Sequence, residues 1–566
     1  MTPALAPGNA PGSAPESLSR RETILGVGLV IVVATLVRAW AMGLETTARP
    51  EDVAYYVGVA RNLVEGRGLV IDTLWTYTTP PLVFPRPAFE IWLPLPSLLA
   101  ALSMALLGAS FVAAQVASLL VGLLVAVLTI RLGADVAEEL ALPRDRAITL
   151  GLGAGLGAAA LLPLVLHSVQ PDSTLPFAAL ALGAAMLMAR LLREAGGGEG
   201  LAARASVRAL VGLGALLGLA ALARNEAAWV ALTWAILAAR APLPRAERLR
   251  LVAVPAVAAI AVFAPWAARD WLVFGTPFPG QAIANALSVR GTDIFAWQDP
   301  PTLARYLALG PAELVGQRVA ALRHDLGIDL LLLGAPASFL GLLGLPVAWR
   351  VRALRPLFVA SVLIFATTTL VFPVATVSGT FLHAAGPIHV LLIVSALLLA
   401  DRVAAAVARW RGWTRPLAWT GATLVVGGSL LVTLLILPWS EPATAVAARF
   451  EALPAALEAA VPGSTAAPVI SDTPIFLATK SGLRGLALPD ESPASVLDLA
   501  RTYGARALVL AADNEGGWPE ALTGPGAGPA AACFTPVDLV AAAAAAGVDG
   551  SALQGLVAFR IEEACR

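Results

Sequence analysis

Acidic and basic side chains collect beside the ends of long apolar runs, where an ionisable group is costly and usually serves a purpose. On one side of the expected membrane they are Glu51, Asp52, Asp172, Arg224, Glu226, Arg269 and Asp270. A carboxylate there could accept a proton from an attacking hydroxyl group. A guanidinium could hold a phosphate through paired hydrogen bonds and stabilise it as it leaves.

These residues also have structural interpretations. Asp52 and Asp172 stand where helices begin, so each could cap a helix and complement its dipole. Arg224 and Glu226 could anchor a span at the interface, and Arg269 could reach toward lipid head groups. At turns stand two lone histidines, a type more often structural or solvent-exposed than catalytic, namely His167 and His383. The residues alone leave these alternatives open.

The sequence gives little sign of a cofactor. No cluster of His, Cys and Asp has zinc-ligand spacing, so we expect none, with a divalent metal shared by Asp52 and Asp172 as the alternative. Gly196-Gly197-Gly198 lacks the Lys that follows a phosphate-binding glycine loop, which argues against a nucleotide-linked substrate inside the cell. The net charge of zero gives no electrostatic reason to expect nucleic acid as a partner.

The elements that position these residues are membrane spans. The chain has 566 residues, 58% of them hydrophobic and 13% charged, against about 25% charged in soluble proteins. A helix of roughly 20 apolar residues crosses the hydrocarbon core. Apolar runs occupy residues 23–43, 89–107, 111–130, 147–166, 174–192, 208–222, 226–239, 251–267, 329–348, 357–374, 384–400 and 416–438. We therefore expect a polytopic α-helical membrane protein that crosses the plasma membrane many times.

Arginine placement gives the orientation, because cytoplasmic loops are enriched in Arg and Lys. Arg20 and Arg21 place the N-terminus in the cytoplasm. The run at 89–107 is broken by Pro94 and Pro96, so we interpret it as a juxtamembrane helix and not as a span. About 11 spans then remain, the later basic loops face the cytoplasm, and the C-terminus lies on the extracytoplasmic side.

Three regions follow from this topology. Residues 1–21 form a disordered cytoplasmic N-terminus, and the first apolar run lacks a signal-peptide cleavage site. Residues 22–438 form the transmembrane domain, with 44–110 as its first outer loop. Within this loop, 52–64 has helical apolar spacing and should lie on the membrane surface. Residues 440–566 form a soluble extracytoplasmic α/β domain.

The C-terminal domain shows alternating local patterns. Short strands are expected at 469–470, 475–477, 507–511 and 556–561, and helices at 492–503 and 537–546. Ser492 is the expected N-cap of the first helix, with Pro493 in its first turn. Cys533 and Cys565 could pair in an oxidising compartment or remain two buried thiols, because sequence supplies no Cβ geometry.

Several short motifs, taken in order, resemble the glycosyltransferase C superfamily, specifically its branch of dolichyl-phosphate-mannose protein mannosyltransferases and lipid A aminoarabinose transferases. They are Asp52-Val53-Ala54-Tyr55-Tyr56, Ala60-Arg61-Asn62-Leu63, Gly66-Arg67-Gly68, Gln170-Pro171-Asp172-Ser173, Gly218-Leu219-Ala220, Arg224-Asn225-Glu226, Pro265-Trp266, Arg269-Asp270 and Phe274-Gly275-Thr276-Pro277. The resemblance runs from about residue 22 to 440. Each motif is weak alone, and their order and spacing carry the resemblance.

The resemblance implies an integral membrane glycosyltransferase. Such an enzyme moves a monosaccharide from a polyprenyl-phosphate donor to an acceptor glycan, lipid or protein on the extracytoplasmic side. It implies a catalytic base just after the first span, at Asp52, a second cavity acid at Asp172, and Arg269 as a candidate for binding the donor phosphate. The family often has Asp-Glu where this chain has Asp52-Val53, so Glu51 is the alternative base.

The remaining expected substrate-binding residues are Arg224, Glu226, Tyr55 and His383. Two rival functions stay open. A lipid or sugar transporter or flippase is disfavoured, because we find neither an inverted repeat nor an acid in the middle of a span. A non-catalytic lipid-binding relative is the other rival, because the Glu that often follows the catalytic Asp is missing.

Overall fold

Helices make up most of the chain. The computed structural model describes residues 20–196, 206–413, 418–512, 514, 517–524 and 527–566. The expected disorder up to Ser19 and the glycines at 197 and 198 lie outside these residues. The first ten helices are α1 (Arg20–Leu44), α2 (Glu51–Val64), α3 (Leu95–Leu107), α4 (Phe111–Glu139), α5 (Arg144–Ala160), α6 (Leu162–Val169), α7 (Thr174–Gly196), α8 (Val207–Ala221), α9 (Ala227–Ala239) and α10 (Arg245–Phe274).

The second half of the membrane domain continues this pattern and adds two π-helical segments, at Asp325–Leu332 and Thr376–Thr380. Its helices are α11 (Ala282–Ala286), α12 (Leu303–Ala308), α13 (Gly310–His324), α14 (Ala337–Ala348), α15 (Arg355–Val371), α16 (Pro373–Ala375), α17 (Phe381–Ala384), α18 (Gly386–Arg411) and α19 (Ala418–Ile436).

The expected spans are all helical, and the chain is a multi-pass membrane protein. Within the described residues, seven helices are long and apolar enough to cross a membrane, or up to nine if each of two bent pairs counts as one span. The two remaining expected spans are α8 and α9, shorter apolar helices of 15 and 13 residues, which are too few to cross alone. The same holds for the 13 residues of α3, so helix length agrees with the juxtamembrane interpretation of 89–107 but does not distinguish α3 from α9.

One bent span contradicts the expectation that no acid lies inside a span. The segments Gly310–Leu332 and Ala337–Ala348 are together long and apolar enough for one span, but they meet at an angle of 106°. Asp325 and Asp329 lie in the π-helical turn before this bend and are buried. The apolar run begins at residue 329, so hydropathy places both acids at or before the edge of the expected span. In the structure the helix continues on the N-terminal side of this run, and both acids lie within it.

A second break, of 56°, separates α5 from α6 and leaves carbonyl groups without helical donors. The fully buried guanidinium of Arg38 donates to the carbonyls of Ala158 and Ala159 at 3.3 and 3.2 Å, and to the Ser168 hydroxyl at 2.8 Å. Broken backbone at membrane depth needs such partners, because lipid supplies none. Arg38 therefore holds the turn that leads to the candidate site.

The C-terminal domain is α/β, as expected. Its helices are α20 (Ala443–Ala460), α21 (Pro474–Lys480), α22 (Pro493–Tyr503), α23 (Glu520–Thr523) and α24 (Leu539–Ala545). The strands of the chain are β1 (Val70–Ile71), β2 (Thr73–Leu74), β3 (Arg86–Pro87), β4 (Val469–Ser471), β5 (Gly485–Ala487), β6 (Ala507–Ala511), β7 (Phe534–Val537) and β8 (Leu556–Ile561). The expected strand at 475–477 is wrong, because Pro474 starts α21 there. Ser492 caps α22 as expected, its hydroxyl accepting from the Ser495 N–H.

The six-stranded sheet of this domain includes a strand from the first outer loop. Its order is β2-β5-β4-β6-β8-β7, and β2 runs parallel to β5 with Thr73 opposite Gly485 and Leu74 opposite Leu486. Gly485 is required by the close approach of the Pro474 carbonyl, which a Cβ would strike. The outer loop and the C-terminal domain therefore share one sheet and one apolar core.

Helix α2 forms where the apolar spacing predicts, but it does not lie on the membrane surface. Residues on all sides of it are buried, and the helix packs between α3 and α21. Its apolar stripe therefore meets protein on both sides in place of lipid. The structure also resolves the cysteine alternatives, since Cys533 and Cys565 form a disulfide.

Candidate functional site

Asp52 and His383 meet although 331 residues separate them along the chain. Asp52 lies in the first turn of α2, where its Oδ1 accepts from the Val53 N–H at 2.8 Å. Its Oδ2 lies 3.0 Å from Nε2 of His383, and the two side chains are 17% and 16% exposed. The pair is therefore reachable from outside the protein while most of each side chain is desolvated.

A second carboxylate holds the other face of His383. Nδ1 of His383 is 3.0 Å from the Thr174 hydroxyl and 3.5 Å from Oδ2 of Asp172. That same oxygen lies 2.5 Å from Nδ1 of His167. Asp172 also caps α7, because its Oδ1 accepts from the Thr174 N–H at 2.8 Å. Asp172 therefore caps α7 and also belongs to this cluster of side chains, although the sequence left capping and function as alternatives.

The local chain path explains why these side chains converge. His167 ends α6, and the Pro171 turn brings Asp172 back beneath it at the start of α7. Gly379 has φ of +104°, a conformation that glycine adopts without a steric penalty. It kinks the Thr376–Thr380 segment, so that α17 presents His383 to both carboxylates.

The charges in this cluster are set by mutual attraction. Burial alone would raise the pKa of Asp172, but the adjacent imidazoles of His167 and His383 hold it well below its usual range. Burial alone would lower the pKa of His383, yet Asp52 and Asp172 raise it to about 10. At neutral pH Asp172 is therefore ionised and His383 is a cation, so His383 acts as a hydrogen-bond donor and not as a base.

Arg224 and Glu226 form an ion pair beside this cluster. The guanidinium binds Glu226 through two bonds of 2.9 and 2.7 Å, the Ser173 hydroxyl at 2.9 Å and the Thr380 carbonyl at 3.1 Å. The side chain of Ser173 also lies beside that of Tyr56. With these partners, Arg224 links the turn around 173 to the turn around 380, and few of its donors remain for a substrate.

Arg269 lies in a different environment. Its Nη1 donates to Asp270 at 2.8 Å, and the guanidinium stacks on the rings of Trp266 and Phe274 at 4.8 and 5.2 Å. Among the described residues, Arg269 forms no hydrogen bond or ion pair with Asp52 or Asp172. Its side chain is 21% exposed, which leaves guanidinium donors for an external anion.

Tyr55 is fully buried, and its hydroxyl accepts from the Phe89 N–H at 2.6 Å. The ring also packs against Phe89 and Trp92, while Phe89 packs on Trp266. Tyr55 therefore joins α2 to the aromatic residues that lead to Arg269. Its contacts are those of a buried residue that packs beside the candidate site.

Glu51, the alternative base, faces the C-terminal domain. Its Oε1 accepts from the N–H groups of Ile475 and Phe476 at 2.7 and 3.2 Å, at the beginning of α21. Burial raises the pKa of Glu51 to about 8. The neighbouring carboxylates thus separate, with Asp52 facing His383 and Glu51 joining the outer loop to the C-terminal domain.

Two groups of described residues place potential metal ligands within 4.8 Å of one another: His167, Asp172 and His383, and separately His324, Asp325 and Asp329. In the first group, the 2.5 Å between His167 and Asp172 is a hydrogen-bond distance. Two ligands of one tetrahedral ion stand about 3.3 Å apart. The first group is therefore arranged as a hydrogen-bonded His167–Asp172 pair, with Nδ1 of His383 3.5 Å from the same carboxylate oxygen.

Sequence reasoning missed part of this arrangement. It treated His167 as structural and gave no role to Ser173, Thr174 or Thr380. The one local signal was the five-residue spacing of His167 and Asp172 across a proline turn, since a turn returns the chain onto itself. No local signal links either residue to His383.

Comparison with solved structures gives the fold family. No protein-family model and no curated protein matches the sequence. ArnT from Cupriavidus metallidurans bound to undecaprenyl phosphate is similar with a TM-score of 0.53 and 12% identity, over 95% of this chain and 98% of that one.

The archaeal oligosaccharyltransferase AglB from Archaeoglobus fulgidus, solved with an inhibitory peptide and a dolichol-phosphate, has a TM-score of 0.55 and 11% identity. The match covers 86% of this chain and 69% of that one. The Archaeoglobus fulgidus oligosaccharyltransferase in complex with Zn and sulfate has a TM-score of 0.53 and 12% identity, over 86% of this chain and 68% of that one. The chain therefore shares the fold of these ArnT and oligosaccharyltransferase structures, in agreement with the resemblance that its motifs carry.

Proposed function

We propose that this protein transfers a monosaccharide from a polyprenyl-phosphate donor to an acceptor hydroxyl on the extracytoplasmic side of the membrane, with Asp52 as the general base. The observation that carries the proposal is the convergence of Asp52, His383 and Asp172 from three separate parts of the chain. The fold adds support, because the similar ArnT and oligosaccharyltransferase structures contain undecaprenyl phosphate and dolichol-phosphate.

In this proposal, Asp52 removes the proton of the acceptor hydroxyl as its oxygen forms a bond to the anomeric carbon. The bond from that carbon to the phosphate oxygen breaks on the opposite face, so the configuration inverts. The electron pair leaves with the lipid phosphate, whose added negative charge needs a cation. Arg269 supplies it, because its guanidinium retains free donors and lies at the end of a span.

The surrounding residues position this chemistry. His383 holds Asp52 from one side, and Asp172 keeps His383 cationic, so Asp52 stays fixed toward the outer surface. Arg224 and Glu226 hold the two turns that carry Asp172 and His383. The C-terminal domain, which contacts α2 directly, would face the acceptor.

Two observations support an extracytoplasmic site. Arg20 and Arg21 precede the first span, consistent with a cytoplasmic N-terminus. The Cys533–Cys565 disulfide belongs to compartments that are oxidising, and it lies in the domain that contacts α2. Both support our proposal that the first outer loop and the C-terminal domain lie on the same, outer side.

The deciding variant is Asp52→Asn, which keeps the size of the side chain and removes its basicity. We expect transfer to fall at least about 100-fold, while the amount of protein in the membrane stays unchanged. Asp72→Asn is the matched control, because Asp72 is an acid of the same loop that pairs only with Arg67. The readout is mass spectrometry of envelope glycans and glycoproteins in cells lacking the protein and complemented with each variant.

Full activity of Asp52→Asn would overturn the assignment of the base. Loss of activity in Glu51→Gln instead would move the base to Glu51. The transporter alternative keeps one observation in its favour, the buried acids Asp325 and Asp329 in a bent span. Uptake of a labelled lipid-linked sugar into proteoliposomes without transfer to any acceptor would favour that alternative.

A further inference from the structure

A second cluster of ionisable side chains lies just before the 106° bend between Leu332 and Ala337. His324 ends α13, and Asp325 and Asp329 follow in the π-helical turn. Nδ1 of His324 is 3.7 Å from Oδ1 of Asp325 and 3.5 Å from Oδ2 of Asp329. None of these residues takes part in the proposed proton transfer.

Among the described residues, one basic side chain lies in direct contact with the two acids of this cluster. Asp325 and Asp329 are fully and almost fully buried, and His324 is the basic group within ion-pair distance of both. Two neighbouring buried carboxylates repel each other, and buried charges are normally paired or bound to a metal. His383 and His167 act on Asp329 from farther away, so the one imidazole in contact does not pair with both acids.

Two polar atoms of the cluster also lack hydrogen-bond partners. Oδ2 of Asp329 and Nδ1 of His324 are both buried and unsatisfied, and they face each other across 3.5 Å. That separation exceeds a hydrogen bond. It is close to the roughly 3.3 Å between two ligands that each bind one tetrahedral ion at about 2.0–2.1 Å. The separation of the two unpartnered atoms therefore suits two ligands of one ion.

The third ligand is held in place by its own hydrogen bonds. Asp325 accepts from the hydroxyl of Thr369 at 2.7 Å and from that of Thr376 at 3.1 Å. Such outer contacts orient a ligating carboxylate. His324 is 28% exposed, so an ion could enter from its side, and a water molecule could complete the coordination.

We propose that His324, Asp325 and Asp329 form a site for a divalent transition-metal cation, with Zn²⁺ as the preferred occupant. An imidazole nitrogen with only two carboxylates suits Zn²⁺, whereas Mg²⁺ and Ca²⁺ need more oxygen ligands. The bound ion neutralises the buried acids and joins the bent span to Thr376, at the start of the segment that leads to His383. Its role is to fix that turn, and it takes no part in sugar transfer.

Zinc content tests this proposal without reference to activity. The full-length protein in detergent is incubated with ZnCl₂, freed of excess metal by gel filtration, and analysed by elemental mass spectrometry. We expect Asp329→Asn and His324→Gln to retain about one Zn²⁺ fewer per chain than the wild type, the change due to loss of a single ion site. Asp299→Asn is the matched control, because Asp299 is an exposed acid of the same outer loop.

A further variant separates the two clusters. His383→Gln removes a possible ligand of the first group, so it should keep the ion of the second. Equal zinc content in wild type and Asp329→Asn would overturn the proposal, as would loss of zinc only in His383→Gln. If Asp329→Asn or His324→Gln fails to fold, the wild type decides: EDTA should lower its Tm and Zn²⁺ should restore it, and a Tm indifferent to both would overturn the proposal.

Discussion

His383 lies between two carboxylates, and its charge determines what each of them can do. An imidazolium that donates to Asp52 and faces Asp172 keeps both acids in fixed directions. With His167, it also holds the pKa of Asp172 well below its usual range, which favours the ionised form of that acid. The same arrangement removes His383 from the list of candidate bases at neutral pH, because its pKa lies near 10.

The charge of His383 gives a pH-dependent contribution to stability. Its pKa rises from about 6.5 in the unfolded chain to about 10 in the folded one. The folded state therefore binds the proton more tightly, and the stabilisation is complete below about pH 6.5 and disappears as pH rises toward 10. We expect the Tm difference between wild type and His383→Gln to be largest near pH 6 and to shrink steadily above it.

Thr174→Val is the control for this measurement. It removes the hydroxyl beside Nδ1 of His383 without changing any charge, so its Tm difference from wild type should stay constant across the same pH range. A His383→Gln difference that is equally constant would mean that His383 is neutral in the folded protein. The charge assignment would then be wrong.

Glu51 and Asp52 show how adjacent residues acquire different roles. Consecutive side chains on a helix point about 100° apart, since 3.6 residues make a turn. On α2 this rotation sends Glu51 to the first N–H groups of α21 and Asp52 to His383. A carboxyl oxygen at the beginning of a helix accepts from N–H groups that would otherwise be unpaired. The position of α21 is therefore tied to that of Asp52.

At the scale of elements, α2 connects the two domains. It packs against α3 on the membrane side and against α21 on the other. The closest approach is at Gly58, where a Cβ would lie 2.6 Å from Cγ2 of Thr479. Any larger side chain there would push α21 away from α2. The hydrogen bonds from the first N–H groups of α21 to Glu51 would then lengthen or break.

Gly58→Ala tests this contact by the sign of its effect. In a helix interior without neighbours, Gly to Ala stabilises by about 1 kcal/mol. Here we expect destabilisation of about 1–2 kcal/mol, because the new methyl group overlaps Thr479. In a Thr479→Ser background, which deletes Cγ2 but keeps the hydroxyl bond to Ile475, the cost should vanish. Thermal unfolding of the four combinations gives the coupling energy.

Gly316→Ala serves as the control, because no atom lies within 4 Å of a Cβ at that position in α13. It should be neutral or stabilising. If Gly58→Ala behaves like Gly316→Ala, then α2 and α21 do not approach as closely as described. The C-terminal domain would then have no direct mechanical link to the candidate site.

At the scale of the whole molecule, the C-terminal domain is not an appendage. β2 of the first outer loop is the edge strand of its sheet, and Tyr77 of the same loop donates to the Ala487 carbonyl at 2.5 Å. Phe295 and Trp297 from the loop after α10 pack into the same core. Both long outer loops are thus ordered by the domain that covers them.

The orientation of the assembly can be measured with its own cysteines. A membrane-impermeant maleimide applied to intact cells should label the protein only after an impermeant reductant has opened the Cys533–Cys565 disulfide. A Ser19→Cys variant should add a label only after the cells are lysed, because residue 19 precedes the first span. Labelling at position 19 in intact cells would reverse the proposed topology.

The sequence by itself determined the local features of this protein. Hydropathy located the spans, proline placement identified α3 as too broken to cross, and a serine–proline pair marked the start of α22. These features depend on neighbouring residues, so they are visible in the order of residues. The superfamily motifs also singled out Asp52, Asp172 and Arg269, one at a time.

Only the tertiary structure decided what those residues contact. It joined Asp52 to His383, added β2 to a sheet more than 400 residues away, made a helix of 475–477 where Glu51 caps it, and buried Asp325 and Asp329 beside a bend. The physical reason is that such contacts depend on how whole spans pack. A pairing across hundreds of residues leaves no trace in local composition or periodicity.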